Sequence, residues 1–209
     1  MTSKILNAVL FQLVWFACVL GGASGHWWLA VASVTGFALW QVPRSATPKT
    51  ELALMGAAVF TGLVVDTAYV AAGLVSYPQP GPWRGVAPVW IIALWVGFAL
   101  TLTHSLAWLT GRPLAAAVMG GLAGPFSFWI GATRFEAAEF VAPAPLVLVI
   151  LGAGWALLLP GLFALAGRLE SPQTPTIARH PHSSLQPACV AAETRGSGTR
   201  NPLGGGERQ

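Results

Sequence analysis

The sequence predicts an all-α polytopic membrane protein, a bundle of six transmembrane helices followed by a disordered C-terminal tail. Three observations lead there. The 209 residues are 55% hydrophobic and only 9% charged, with a mean hydropathy of +0.64, too apolar for a soluble domain and characteristic of repeated membrane spans. Apolar runs recur as far as Gly167, separated by short stretches of Pro, Gly and charge. From Arg168 onward Ser, Thr, Pro, Gly and Arg replace the aliphatic residues, a composition that cannot bury a core.

The first span, residues 5–22, follows Lys4 and ends at Gly21-Gly22-Ala23-Ser24-Gly25. A secretory signal peptide shares that layout. Asn7, Gln12, Trp15 and Phe16 within the run favour a retained helix, since a bundle can use them and a signal peptide does not need them. The second span, 27–42, is short and carries Trp27, Trp28 and Trp40 at its ends, where indoles anchor in the interface. The loop Pro43-Arg44-Ser45-Ala46-Thr47-Pro48-Lys49-Thr50 then offers Thr50 as N-cap of the third span, 51–75. Gly62, Asp66, Tyr69 and Gly73 share one face of that span, small and polar enough for a neighbouring helix to approach closely.

Pro78, Pro80, Gly81 and Pro82 forbid regular structure in the next connection. The fourth span, 87–109, carries Thr101, His104, Ser105 and Trp108 at helical spacing, a polar stripe on an otherwise apolar helix. Gly111 and Pro113 stop this helix and start the fifth, 113–132, which is expected to break at Gly120-Gly121 and at Gly124-Pro125, where proline leaves the carbonyl one turn earlier unbonded. A polar connection with Arg134, Glu136 and Glu139 leads to the sixth span, 145–167, and residues 168–209 form the tail. Each span suits a hydrocarbon core of about 30 Å at about 1.5 Å per residue, the second only with a thin or upright passage.

Basic residues set the orientation. Cytoplasmic N and C termini place Lys4, Arg44, Lys49, Arg112 and Arg168 inside against Arg84 and Arg134 outside, as the positive-inside rule requires. These charges are scattered singly, so nucleic acid is not an expected partner. Cys18 lies in a span and Cys189 in the tail, which disfavours a disulfide, and no metal or cofactor is indicated. Nothing in the sequence sets an oligomeric state.

Asp66 and His104 are the ionisable residues deep in spans, but depth separates them. Asp66 lies about 22 Å from the cytoplasmic end of its helix and His104 about 8 Å from the same end of its own. The polar interior therefore divides into an outer cluster of Asp66, Tyr69 and Ser127 and an inner cluster of Asn7, Gln12, Thr101, His104, Ser105 and Arg112. For most of these, hydrogen bonding that holds helices together is the competing explanation. A carboxylate as deep as Asp66 more often marks a pathway or a proton-binding group. Trp15 and Trp155 are expected in the core and the other indoles in the interfacial belt.

Asn7-x3-Phe11-Gln12-x2-Trp15-Phe16-x-Cys18, Asp66, His104-Ser105-Leu106-x-Trp108-Leu109, Gly124-Pro125-x-Ser127 with Gly131, and Gly154-Trp155-Ala156-Leu157-Leu158-Leu159-Pro160 together resemble a proteobacterial multi-span inner-membrane family known only as a domain of unknown function. The resemblance covers residues 4–167 and implies the lipid bilayer as environment. Its gene neighbours, cyclopropane-fatty-acid-synthase-like and flavin-dependent enzymes, imply lipid-modifying enzymes as partners, an association and not a mechanism. Three roles follow as expectations: a transporter of a small or lipid-like solute or an accessory factor for lipid modification, with Asp66 as the protonatable or solute-binding group and His104 with Ser105 as the inner gate; an intramembrane lipid-modifying enzyme with His104 as general base; and a structural partner. The enzyme is the alternative to the first role, with thin support, since adjacent His104 and Ser105 do not form a nucleophile and base pair on a helix.

Overall fold

The computed structural model describes residues 2–170. Among them six α-helices follow one another: α1 Thr2–Ala23, α2 Trp28–Gln41, α3 Pro48–Ala71, α4 Val89–Leu102, α5 Pro113–Phe135 and α6 Ala144–Glu170. Arg168, Leu169 and Glu170, expected in the tail, close α6 instead. Residues 171–209 lie outside the described residues, and with them Cys189.

Four helices, α1, α3, α5 and α6, are long and apolar enough to cross a membrane. Their outward faces carry exposed Leu63, Phe60, Leu122, Val149 and Leu157, a surface that water would not tolerate and lipid does. The other two, α2 and α4, have 14 residues each, about 21 Å of rise against a core of about 30 Å.

Short α4 is the centre of the bundle. Nine of its residues are buried, among them Trp90, Ile91, Trp95, Leu100 and Thr101, and it packs on α1, α2 and α3. The α5–α6 hairpin closes the bundle against α3, α4 and α1. Helices alternate in direction. The start of α1, the end of α2, the start of α3 and the end of α4 meet at one end, called proximal here, through bonds among Asn7, Gln41, Glu51 and His104. At the opposite, distal end, the connections after α3 and α5 pair as two short antiparallel strands, β1 Val75–Ser76 and β2 Glu139–Phe140, with Val75 opposite Phe140.

Several expectations are corrected. The third helix starts at Pro48, and Thr50 is buried in its first turn instead of capping it; proline suits a first helical position because the missing N–H has no partner there anyway. The fourth helix ends at Leu102, well before the expected 109. Thr101 Oγ1 donates to the Phe98 carbonyl at 2.6 Å, and the backbone N–H groups of His104 and Leu106 both turn back onto the Thr101 carbonyl at 3.1 and 2.9 Å. Polar side chains that compete for backbone groups close a helix early. Residues 107–109 form one tight 3-10 turn, and Thr101, His104, Ser105 and Trp108 share no helical face: Thr101 is buried and Trp108 is exposed.

The fifth helix does not break at Gly120-Gly121 or at Gly124-Pro125; it runs unbroken to Phe135. The carbonyl that Pro125 cannot bond belongs to Gly121, and it faces α6 so closely that a Cβ at Gly152 would lie 3.0 Å from its oxygen. Gly120, Gly124 and Gly152 make this close approach possible, as small residues do between membrane helices.

Candidate functional site

Asp66 sits one turn before the end of α3, fully enclosed. Trp95 of α4 donates its indole N–H to Oδ2 at 2.7 Å, and Tyr77 donates its hydroxyl to Oδ1 at 3.1 Å. Tyr77 comes from the connection after β1, which folds back over the carboxylate and sets the ring edge-on to Trp90 at 5.7 Å. Burial, and then the neighbouring Asp66, push the Tyr77 phenol well above its ordinary range, so it stays a donor. Gly62, one turn before Asp66, is what admits the Trp95 indole: an added Cβ would collide with that ring. Trp95 in turn stacks on Trp155 of α6 at 4.7 Å and 6°. Trp90 and Trp95 are therefore core residues, against the expected belt, while Trp27, Trp28, Trp83, Trp108 and Trp129 are exposed.

A second polar cluster lies at the proximal end. Asn7 Nδ2 donates to the Leu100 carbonyl at 3.0 Å and to Gln41 Oε1 at 3.3 Å, and its Oδ1 accepts from the Ser105 backbone N–H at 3.3 Å. Asn7 thus binds the carbonyl and amide groups released where α4 ends early. His104 Nε2 lies 2.6 Å from Glu51 Oε1. The Glu51 side chain is 1% exposed against 26% for His104, and its Oε2 has no partner among the described residues. Arg112 stands apart, exposed at the start of α5. Asp66 and His104 share no contact. Counting from Glu51 to Asp66 along α3, they are held about 22 Å apart in depth.

One cavity of about 810 Å³ lies between the two clusters. Gln12, Asp66, Tyr69, Thr101, Ser105 and Ser127 all reach its wall, and so does Gly124, whereas Asn7, His104 and Pro125 do not. The rest of the wall is mainly apolar and aromatic, with Phe11, Phe98, Phe128 and Trp155 prominent. Ser127 accepts the Trp15 indole N–H at 2.8 Å, which fastens α5 to α1. The Tyr69 hydroxyl packs against α6 at Gly154, where an added Cβ would lie 2.6 Å from it. The volume and the apolar wall with a few converging polar groups match a small-molecule site. Among the described residues no group of three metal-ligating side chains exists.

Sequence reasoning missed Glu51, Gln41, Trp95, Tyr77 and Arg134. Glu51 opens a helix, where an acid normally complements the helix dipole in water, so its burial gave no local signal. Leu100, which Asn7 bonds, and Trp95, which bonds Asp66, lie 93 and 29 residues away, beyond the reach of any periodicity.

Helix count, apolar outer faces and an enclosed polar interior define a polytopic α-helical membrane protein. Residues 4–161 match the family described as protein of unknown function DUF2878. The chain belongs to that family, as the resemblance in its sequence implied. No curated protein and no solved structure matches it.

Proposed function

We propose that the protein crosses the cytoplasmic membrane six times, with both termini in the cytoplasm, and binds a lipid-like or small apolar solute in its central cavity, as a carrier or as an accessory to lipid-modifying enzymes. The cavity carries this reading: about 810 Å³, largely apolar, bordered by five of the six helices, with Asp66 and Ser105 on its wall. The alternating helix directions and the pairing of β1 with β2 support six spans, because six crossings put those two connections on one side. Short α2 and α4 fit this arrangement as inner helices, since irregular backbone at membrane depth is tolerated where protein covers it. Asp66 is a polar group of the cavity wall, with Trp95 and Tyr77 holding its orientation.

The lipid-modifying enzyme remains a second reading because Glu51 orients His104 at 2.6 Å, the way a carboxylate orients a general base. It has the weaker support, as His104 is not on the cavity wall. A lipid profile of cells lacking the gene, complemented with wild type, Asp66→Asn or His104→Ala at equal protein levels, separates the two. The binding reading expects Asp66→Asn to behave as the deletion and His104→Ala as wild type. The reverse pattern, with a lipid species that disappears in His104→Ala, selects the enzyme. Full complementation by both variants refutes both.

A further inference from the structure

We propose that the cavity takes a single-chain anionic amphiphile, which enters sideways between α1 and α5 and places its charged head against Arg134; this deepens the binding reading above and rests on it. The first support is shape. Along α5 the wall runs from Met119 to Arg134, about 22 Å at helical rise, so the space is long and follows the bundle axis. The second is where it opens. Ala8, Gln12 and Phe16, spaced one turn apart on α1, are exposed and yet line the cavity, and so are Ala123 and Phe126 facing them from α5. That gap lies on the flank of the bundle, the side that faces lipid tails. At the distal end the gap is closed by the Trp15–Ser127 bond and by Trp15 and Phe16 meeting Phe135 edge-on at 5.9 and 6.1 Å.

Charge is the third support. Arg134 is the basic residue on the wall, and among the described residues no carboxylate pairs with it, the ion pair present being His104 with Glu51. Asp66, the acid on the wall, has each oxygen already engaged, by Trp95 and Tyr77. A guanidinium at the distal end of a long apolar slot matches a carboxylate or phosphate head on one hydrocarbon chain. The Gln12 amide, facing the gap where hydrocarbon offers it nothing, can donate to that molecule on its way in.

The test uses the full chain in nanodiscs of zwitterionic phosphatidylcholine with two photoreactive probes of equal length, a diazirine palmitate and its uncharged alcohol. Wild type is expected to be labelled by palmitate on peptides from α1 and α5 that line the cavity. Arg134→Gln should weaken palmitate labelling about tenfold, the size of one charge-assisted hydrogen bond, leave the alcohol unchanged, and be rescued by Arg134→Lys. Ala123→Trp, which fills the gap, should exclude both probes. Equal labelling by both probes, unaffected by Arg134→Gln, overturns the anionic head while the cavity stands as a binding site. Loss of both probes in Arg134→Gln without rescue by lysine makes Arg134 structural and also overturns it. Labels confined to peptides outside the cavity overturn this inference and the binding reading together.

Discussion

Glu51 shows how a single residue can be misjudged from its neighbours in sequence. Its carboxylate is buried, and among the described residues His104 supplies its one partner. Removing one member of such a pair leaves the other buried without its partner, which costs more than removing both. His104→Ala is therefore expected to destabilise the protein by about 2–4 kcal/mol, and the double variant Glu51→Gln with His104→Ala to recover part of that loss. Unfolding midpoints for the two singles and the double, treated as a mutant cycle, measure it. Asp66 presents the opposite balance. Two donors point at it, and Asn can accept only one without turning its own amide toward the other, so Asp66→Asn should cost about 1–3 kcal/mol. Trp95→Phe should cost about 2–4 kcal/mol, because the stack on Trp155 is disturbed along with the hydrogen bond.

At the scale of elements, glycine and tryptophan work as pairs. Gly22 admits Trp90, Gly62 admits Trp95 and Gly124 admits Trp155, in each case an indole lying where a Cβ would be. Gly62→Leu and Gly124→Leu are accordingly expected to prevent the helices from docking, read as loss of the monodisperse peak in detergent gel filtration. Gly36 of α2 has nothing within 4 Å of an added Cβ, so Gly36→Leu should fall within about 0.5 kcal/mol of wild type, a control for added bulk alone. The same packing explains why Gly124-Pro125 does not interrupt α5. Proline breaks a helix when the freed carbonyl clashes or goes unsatisfied, and here the glycines bring α6 within reach of that strand of backbone.

For the whole molecule, the alternation of helices makes a topology prediction. Single cysteines at Ser45 and Thr110, in a Cys18→Ala, Cys189→Ala background, should react with a membrane-impermeant maleimide only after the membrane is opened. Cysteines at Trp83 and Glu136 should react in intact cells stripped of the outer membrane. Protection of the Trp83 position would mean that α3 and α4 do not both cross, and six spans would be replaced by the four that length alone supports.

Several features were legible in the sequence alone: the membrane class, the order of the helices and the family. These follow from composition and from the length of apolar runs, which are local properties fixed by hydration and helical rise. The early end of α4, the continuity of α5 and the strand pair at the distal end were decided only by tertiary structure. So were the partners of Asn7, Asp66 and Glu51 and the cavity between them. Those depend on contacts between residues far apart in the chain, such as Asn7 with Leu100 or Val75 with Phe140. Inside a bilayer each polar group must find a partner within the protein, so its position is set by the helix that arrives beside it and not by its own neighbours in sequence.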